Sequence, residues 1–199
     1  MSYTEIYRFQ KDGTAAAHAW VTNPWRGAMA IWQTMEQRHL RQYMPIYVQS
    51  KWWYHPHISK AELKKKLGYL PSRIGPGTND AIEEIYDLAD DPRIPMHERI
   101  VLYTTFDKML VKKEEIPKVI DAFNLFIGET SLPVQAKILE RLMERDDWIA
   151  VGWNQNSVVS SNWGNCGGYD EAADKEIPYN CLTMMDHKWL FDELRKNQK

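Results

Sequence analysis

The chain has 199 residues, and its 25 Lys and Arg against 27 Asp and Glu give a formal net charge of −2. A composition of 44% hydrophobic and 26% charged residues is typical of a folded globular protein and excludes a disordered chain. The near-neutral charge excludes the basic footprint of a dedicated duplex-binding protein, so we expect no strong direct nucleic-acid binding. No apolar run reaches the roughly 18 residues of a membrane span, and the N-terminus lacks the pattern of a signal peptide. We therefore expect one domain, residues 1–199, that does not bind a membrane.

The two cysteines, Cys166 and Cys181, have neither the spacing of a disulfide framework nor that of a metal site. One disulfide in a secreted protein is the alternative, but two free thiols in a reducing compartment are the favoured interpretation. Two free thiols in a reducing compartment predict a cytoplasmic protein.

The first elements in the chain form a predicted hairpin, with strands at residues 3–9 and 15–21 around the Asp12-Gly13 turn. A helix is then predicted over residues 24–41, because Asn23 is a good N-cap and Pro24 is favoured at the first helical position. Its apolar stripe has helical spacing and consists of Trp25, Ala28, Met29, Trp32 and Met35.

Residues 42–58 have neither a helical nor a strand period and predict an irregular, aromatic-rich segment. Ser59 and Glu62 match a capping box, and the short helix that they begin is expected to end at Gly68. A loop over residues 70–80 follows. Two further helices are then predicted, one ending before Asp91 and one running from Pro95 to about Tyr103.

The second half is predicted to hold a brief strand at 108–111, helices at 114–126 and 131–145, and a final helix capped by Asp186 that includes Trp189. Residues 148–153 are almost continuously apolar, which predicts a central strand buried on both faces, with residues 157–163 as a candidate partner strand. Residues 164–178 are expected to be loop. This order predicts an α+β fold, with a small, mostly antiparallel sheet, several packed helices and long irregular loops.

Nine Trp residues are an unusual number for this length, and two of them lie among amide and hydroxyl side chains near the central strand. Such side chains stack and hydrogen-bond, so this segment is a candidate binding surface for a neutral ligand, a base or a protein. The alternative is a hairpin whose polar side chains cap its own turn. The candidate binding residues here are Trp153, Asn154, Gln155, Asn162 and Trp163.

A second candidate surface is the aromatic run Trp52, Trp53 and Tyr54, followed by His55. Consecutive side chains of an extended segment point to opposite sides, so at least one ring is expected to be exposed or buried only against a partner or a second copy of the chain. Aromatic residues of this kind are enriched at interface hot spots. The alternative is a loop that folds back and covers the core.

No motif in the sequence predicts catalysis or a cofactor. No glycine-rich phosphate loop is present, and His55 and His57 lack the further ligands that zinc requires. A hydrolase using Cys166 or Cys181 with His187 has no local nucleophile signature to support it. We expect no catalytic residues, no metal and no cofactor.

Several segments resemble uncharacterised accessory proteins encoded by phages and prophages of Gram-positive bacteria. The resemblance implies a phage accessory protein that acts inside the infected bacterium, in the host cytoplasm. The segments that carry it span most of the chain and are residues 23–32, 35–40, 53–56, 104–107, 128–132, 150–155 and 189–194.

We favour a non-enzymatic inhibitor of a bacterial defence system, of the anti-CRISPR type, that binds a host protein or a nucleoprotein defence complex, with oligomerisation an open possibility. A charge of −2 does not suit mimicry of nucleic acid, which favours steric or allosteric blocking. The alternative is a small-ligand binder that sequesters a signalling nucleotide, with Arg26, Arg73 or Lys51 at the phosphate, or an enzyme that consumes one.

Overall fold

A computed structural model of the chain places the predicted hairpin at its start, with β1 (Tyr3–Phe9) antiparallel to β2 (Ala15–Thr22). The turn depends on Gly13, whose φ of +82° lies in the region that favours glycine. A Cβ atom at this position would also lie 1.9 Å from Oδ1 of Asn180. The structure describes residues 3–23, 27–40, 59–68, 78–106, 108–155, 167–178 and 180–197.

The hairpin belongs to a mixed five-stranded sheet with the order β2-β1-β4-β3-β7. β4 (Ala150–Asn154) is its central strand and lies antiparallel to both β1 and β3 (Met109–Lys112). The short β7 (Lys188–Trp189) pairs in parallel with β3. The predicted α+β class and the central position of the strand in 148–153 are therefore confirmed. The expected partner of that strand, residues 157–163, lies outside the described residues.

Helices follow or separate these strands along the chain. They are α1 (Ala28–His39), α2 (Lys60–Leu67), α3 (Thr78–Asp90), α4 (Met96–Tyr103), α5 (Ile116–Leu125), α6 (Leu132–Met143), α7 (Cys181–Met184) and α8 (Leu190–Lys196).

The sheet has an inner face and an outer face with different coverings. The inner face carries Ile6, Val151 and Trp153 into the main core, where buried residues of α1 and of α3 to α6 pack together with α8. The outer face carries a smaller buried cluster around Phe9 and Leu110, covered at one end by α7. Among the described residues, this cluster does not extend to the opposite end of the outer face, where Trp20 is exposed.

Several sequence predictions are confirmed residue by residue. Ser59 and Glu62 form the capping box of α2, and Gly68 ends that helix with a φ of +74°. Pro95 precedes α4, and Pro117 lies in the first turn of α5, where the missing N–H costs no helical hydrogen bond.

The start of α1 was predicted wrongly. The described helix begins after Gly27, at a φ of +55° and without a side-chain cap, whereas Asn23 is buried and accepts hydrogen bonds from Thr4 Oγ1 and Ser131 Oγ. A Cβ at Gly27 would lie 2.7 Å from the backbone oxygen of Gln155. Asn23 therefore takes part in a buried polar network, and the described helix begins five residues after it. Pro24, Trp25 and Arg26 lie outside the described residues.

Two predictions for the last third are also wrong. The expected loop over 164–178 contains a hairpin of β5 (Gly167–Asp170) and β6 (Lys175–Pro178), in which six of the eight residues are of types depleted in strands. The final helix does not begin at Asp186. It begins after Trp189, because Lys188 and Trp189 are held extended by their pairing with β3.

The expectation of two free thiols is wrong for Cys181, which is disulfide-bonded and fully buried in the outer cluster. The two cysteines follow no spacing motif, so the sequence carried no signal for this bond. The chain's other cysteine, Cys166, lies outside the described residues. Because disulfides persist mainly in oxidising compartments, the argument from cysteine usage to a cytoplasmic protein loses its support.

We expect Cys181 of protein purified without reductant to resist alkylation in guanidinium chloride, because a disulfide sulfur is not a thiolate nucleophile. After reduction with a dithiol, the peptide that contains Cys181 should gain the full mass of the alkylating group. Peptide mass spectrometry measures both states. Alkylation of Cys181 in the denatured, unreduced protein would contradict the assignment.

Candidate functional site

Three predicted binding residues lie at the end of β4. Trp153 and Gln155 are buried, whereas Asn154 lies on the outer face of the sheet. Trp153 is 2% exposed, and its ring packs edge to face against Phe123 at a centroid distance of 6.1 Å. The Trp153 side chain is therefore part of the core, and stacking on a ligand would require the core to open. The other candidate residues, Trp52, Trp53, Tyr54, His55, Asn162 and Trp163, lie outside the described residues.

Gln155 belongs to a buried polar network instead of a surface. Its Nε2 donates to the backbone oxygen of Thr104 at 3.2 Å, and its Oε1 accepts from Gln135 Nε2 at 3.3 Å. Gln135 Nε2 also donates to Ser131 Oγ, which donates in turn to Asn23. These bonds join the ends of β2, β4 and α4 to the start of α6 across the interior, which is a structural role.

Asn154 points to the outer face, where it meets two polar residues of β1. Glu5 Oε2 accepts from Asn154 Nδ2 at 2.8 Å and from the Tyr7 hydroxyl at 3.0 Å. Burial, and then the neighbouring Glu5 carboxylate, raise the pKa of Tyr7 to about 12, so the hydroxyl remains a donor. Glu5 therefore has two fixed donors and its orientation on the sheet is set.

Two large aromatic side chains stand beside this polar group and are exposed. Trp20 is opposite Glu5 in the β1–β2 ladder, and Tyr3 lies two residues before Glu5, so all three share the outer face. Trp20 is 71% exposed and Tyr3 53% exposed. We call the set of Tyr3, Glu5, Tyr7, Trp20 and Asn154 the outer patch.

The sequence analysis did not identify Tyr3 and Trp20 as candidate binding residues. A signal was present, because residues alternate between the two faces of a strand and the apolar Val21 predicts that Trp20 points away from the core. A Trp on the solvent side of a predicted strand is therefore a candidate binding residue. The sequence could not show that the outer cluster stops short of this end of the sheet.

A separate cleft of about 580 Å³ lies between the end of α1 and the second half of α3. Three of its carboxylates, Glu84, Asp87 and Asp91, follow the helical spacing that places side chains on one face. Asp91 is paired with Arg93, which holds the pKa of that carboxyl at about 2. The other described lining residues are His39, Leu40, Leu88, Arg93 and Ile94.

One wall of this cleft is held by an ion-pair group. Glu98 is buried and accepts from both Arg38 and His39, whose Nε2 lies 2.8 Å from a Glu98 carboxylate oxygen. Arg38 also donates to the backbone oxygen of Ile127, which fixes the end of α1 against the chain after α5. All of these groups have partners within the fold, so the arrangement is explained as structural.

The described residues include two members of the hydrolase arrangement considered from the sequence, Cys181 and His187. The disulfide of Cys181 removes it as a thiolate nucleophile, and His187 lies with Nδ1 at 3.1 Å from the backbone oxygen of Met185. Among the described residues, no group of three or more His, Cys, Asp or Glu side chains is placed to hold a metal ion. In the same part of the chain, no helix has the length and apolar character needed to cross a membrane.

Comparison with known proteins found no matching family model, no matching curated protein and no matching solved structure.

Proposed function

We propose that this chain is a non-enzymatic phage accessory protein that inhibits a bacterial defence system by binding one of its proteins through the outer patch. The observation that carries the proposal is the exposure of Trp20 on the outer face of the sheet. Trp is enriched among the few interface residues that supply most of the binding energy, and folding alone gives a Trp little reason to remain in water.

The composition of the outer patch favours a protein partner. Two aromatic rings stand beside a polar group in which the orientations of Glu5, Tyr7 and Asn154 are already set by hydrogen bonds. A surface that is ordered before binding loses less conformational entropy when it binds. Its charged member, Glu5, is a carboxylate, so the patch suits a partner surface that offers hydrogen-bond donors.

Within the described residues, no contact favours the nucleotide-binding alternative. The cations proposed for its phosphate, Arg26, Lys51 and Arg73, lie outside that part of the chain. The cleft between α1 and α3 is lined by three carboxylates, and its Arg93 is already paired with Asp91. A nucleotide phosphate would meet repulsion there.

The test begins with bacteria that each carry one defined defence system and a phage that this system restricts. Wild-type protein is expected to restore plating against at least one system and to bind its purified complex. We expect Trp20→Ala to raise the Kd for that complex about 30-fold or more, the loss of about 2 kcal/mol that defines a hot spot. Calorimetry measures the Kd, and plating efficiency should fall in parallel.

Ile127→Ala is the matched control, because this side chain is 79% exposed and lies in the connection between α5 and α6. It should bind as the wild type does. If plating is restored against no system, or if Trp20→Ala binds as tightly as Ile127→Ala, the proposal is wrong.

A further inference from the structure

The outer patch contains a partly exposed carboxylate whose charge has no cationic partner among the described residues. Both side-chain hydrogen bonds to Glu5 end on Oε2, one from the Asn154 amide and one from the Tyr7 hydroxyl. These donors are uncharged, so they orient the carboxylate without neutralising it. Within the described part of the chain, Oε1 of Glu5 accepts no hydrogen bond. Asp147 and Glu98, by contrast, are each paired with an arginine.

Two aromatic side chains stand beside this carboxylate. Trp20 is directly opposite Glu5 in the β1–β2 ladder, which places their Cβ atoms about 4.5–5.5 Å apart. Tyr3 is opposite Thr22 and is therefore the diagonal neighbour of Trp20, at about 7–8 Å. Among the described residues, neither ring contacts another ring or a cation. Because carbon atoms meet at about 3.5–4.0 Å, this spacing leaves room for one flat group between the two side chains.

A guanidinium group has the charge and the shape that suit this arrangement. The face of an aromatic ring attracts cations, and Trp attracts them most strongly. A guanidinium is planar, weakly hydrated and rich in N–H donors, so it can stack on a ring while it donates to a carboxylate oxygen. The ammonium of a Lys side chain is a compact, strongly hydrated charge that gains less from stacking. A neutral sugar would stack on the rings, but it would take the Glu5 carboxylate out of water without an opposite charge.

We infer that the outer patch binds an arginine side chain of the partner protein, with the guanidinium against Trp20 and Tyr3 and an N–H donated to Oε1 of Glu5. The bonds from Asn154 and Tyr7 hold the carboxylate in place before binding, which lowers the entropy that binding costs. That the arginine belongs to a protein rests on the proposed function. Binding of the arginine itself can be measured with a peptide and no defence system.

The probe is the peptide acetyl-Gly-Arg-Gly-amide, compared with the same peptide containing citrulline in place of arginine. Citrulline replaces the guanidinium with an uncharged urea group of nearly the same size and shape. In heteronuclear NMR spectra, the indole N–H signal of Trp20, assigned from the Trp20→Phe variant, should shift and saturate at millimolar Arg peptide. At the same ionic strength, the citrulline peptide should bind about 10-fold more weakly or less, because it brings no charge to Glu5.

Glu5→Gln removes the charge and keeps an oxygen that can accept from Asn154 and Tyr7. It should weaken binding of the Arg peptide about 10-fold or more. Glu129→Gln is the matched control, because it removes the same charge at an exposed position in the connection between α5 and α6. It should bind the peptide as the wild type does. A thermal melt establishes that both variants are folded.

Absence of a saturable shift of the Trp20 signal throughout the millimolar range would overturn the inference. Equal affinities for the Arg and citrulline peptides, or an unchanged affinity in Glu5→Gln, would also overturn it. If the corresponding Lys peptide or methyl β-glucoside binds as tightly as the Arg peptide, the arginine is again overturned, and the patch is assigned to a general cation or to a neutral sugar.

The inference and the proposed function fail in different ways. If the Arg peptide binds as expected but plating is restored against no defence system, the arginine site stands and the proposed function is wrong. If plating is restored and Trp20→Ala weakens binding to the defence complex, but the Arg peptide does not bind, the proposed function stands and the arginine site is overturned.

Discussion

Replacing Phe123 by Ala is expected to lower the free energy of unfolding by about 3–5 kcal/mol. The side chain is fully buried in the main core, where its ring packs edge to face against Trp153 of the central strand. The substitution removes apolar surface from the core and leaves a cavity, because the sheet on one side and the neighbouring helices on the other cannot close fully around it. Urea denaturation followed by circular dichroism measures the change.

Leu125→Ala in the same helix is the control, because Leu125 is 60% exposed and its truncation creates no cavity. Its effect should stay within about 0.5 kcal/mol. Equal losses in the two variants would show that Phe123 is not part of the core and would remove the assignment of the inner face.

Replacing Gln155 by Leu is expected to lower the free energy of unfolding by about 2–4 kcal/mol, since each buried group left without a partner costs about 1–3 kcal/mol. Leu approximates the size of Gln but neither donates to Thr104 nor accepts from Gln135. The amide of Gln135 is especially sensitive, because its Oε1 has no hydrogen-bond partner within the described structure. Thermal and urea denaturation measure the loss.

Asn154→Ala is the control for this position, because Asn154 lies next in the chain but points to the outer face and makes one bond to Glu5. Its loss should be about 1 kcal/mol. A Gln155→Leu variant as stable as the wild type would show that the buried network contributes nothing, and it would restore Gln155 as a residue free to serve a ligand.

The sequence predicted an element correctly where residues close together in the chain decide its structure. The hairpin at Gly13, the capping box at Ser59 and the buried strand in residues 148–153 each depend on residues close together in the chain. Turn geometry, helix capping and a continuous apolar run are short-range effects, so no knowledge of the fold is needed to predict them.

The failures occurred where a distant residue decided the outcome. Asn23 has the chemistry of an N-cap, but Thr4 and Ser131 compete for its side-chain oxygen and bury it. Trp189 continues a helical pattern, but β3 holds it extended. Trp153 and Gln155 have the composition of a binding surface, and the main core encloses both.

By itself the sequence determined the α+β class, the central strand and most helices, because local propensity and periodicity set these. Only the tertiary structure decided that Gln155 joins a buried polar network and that Asn154 meets Glu5 on the outer face, beside the exposed Trp20. Which face of a strand is covered depends on how the distant helices pack, and that information is not contained in the strand.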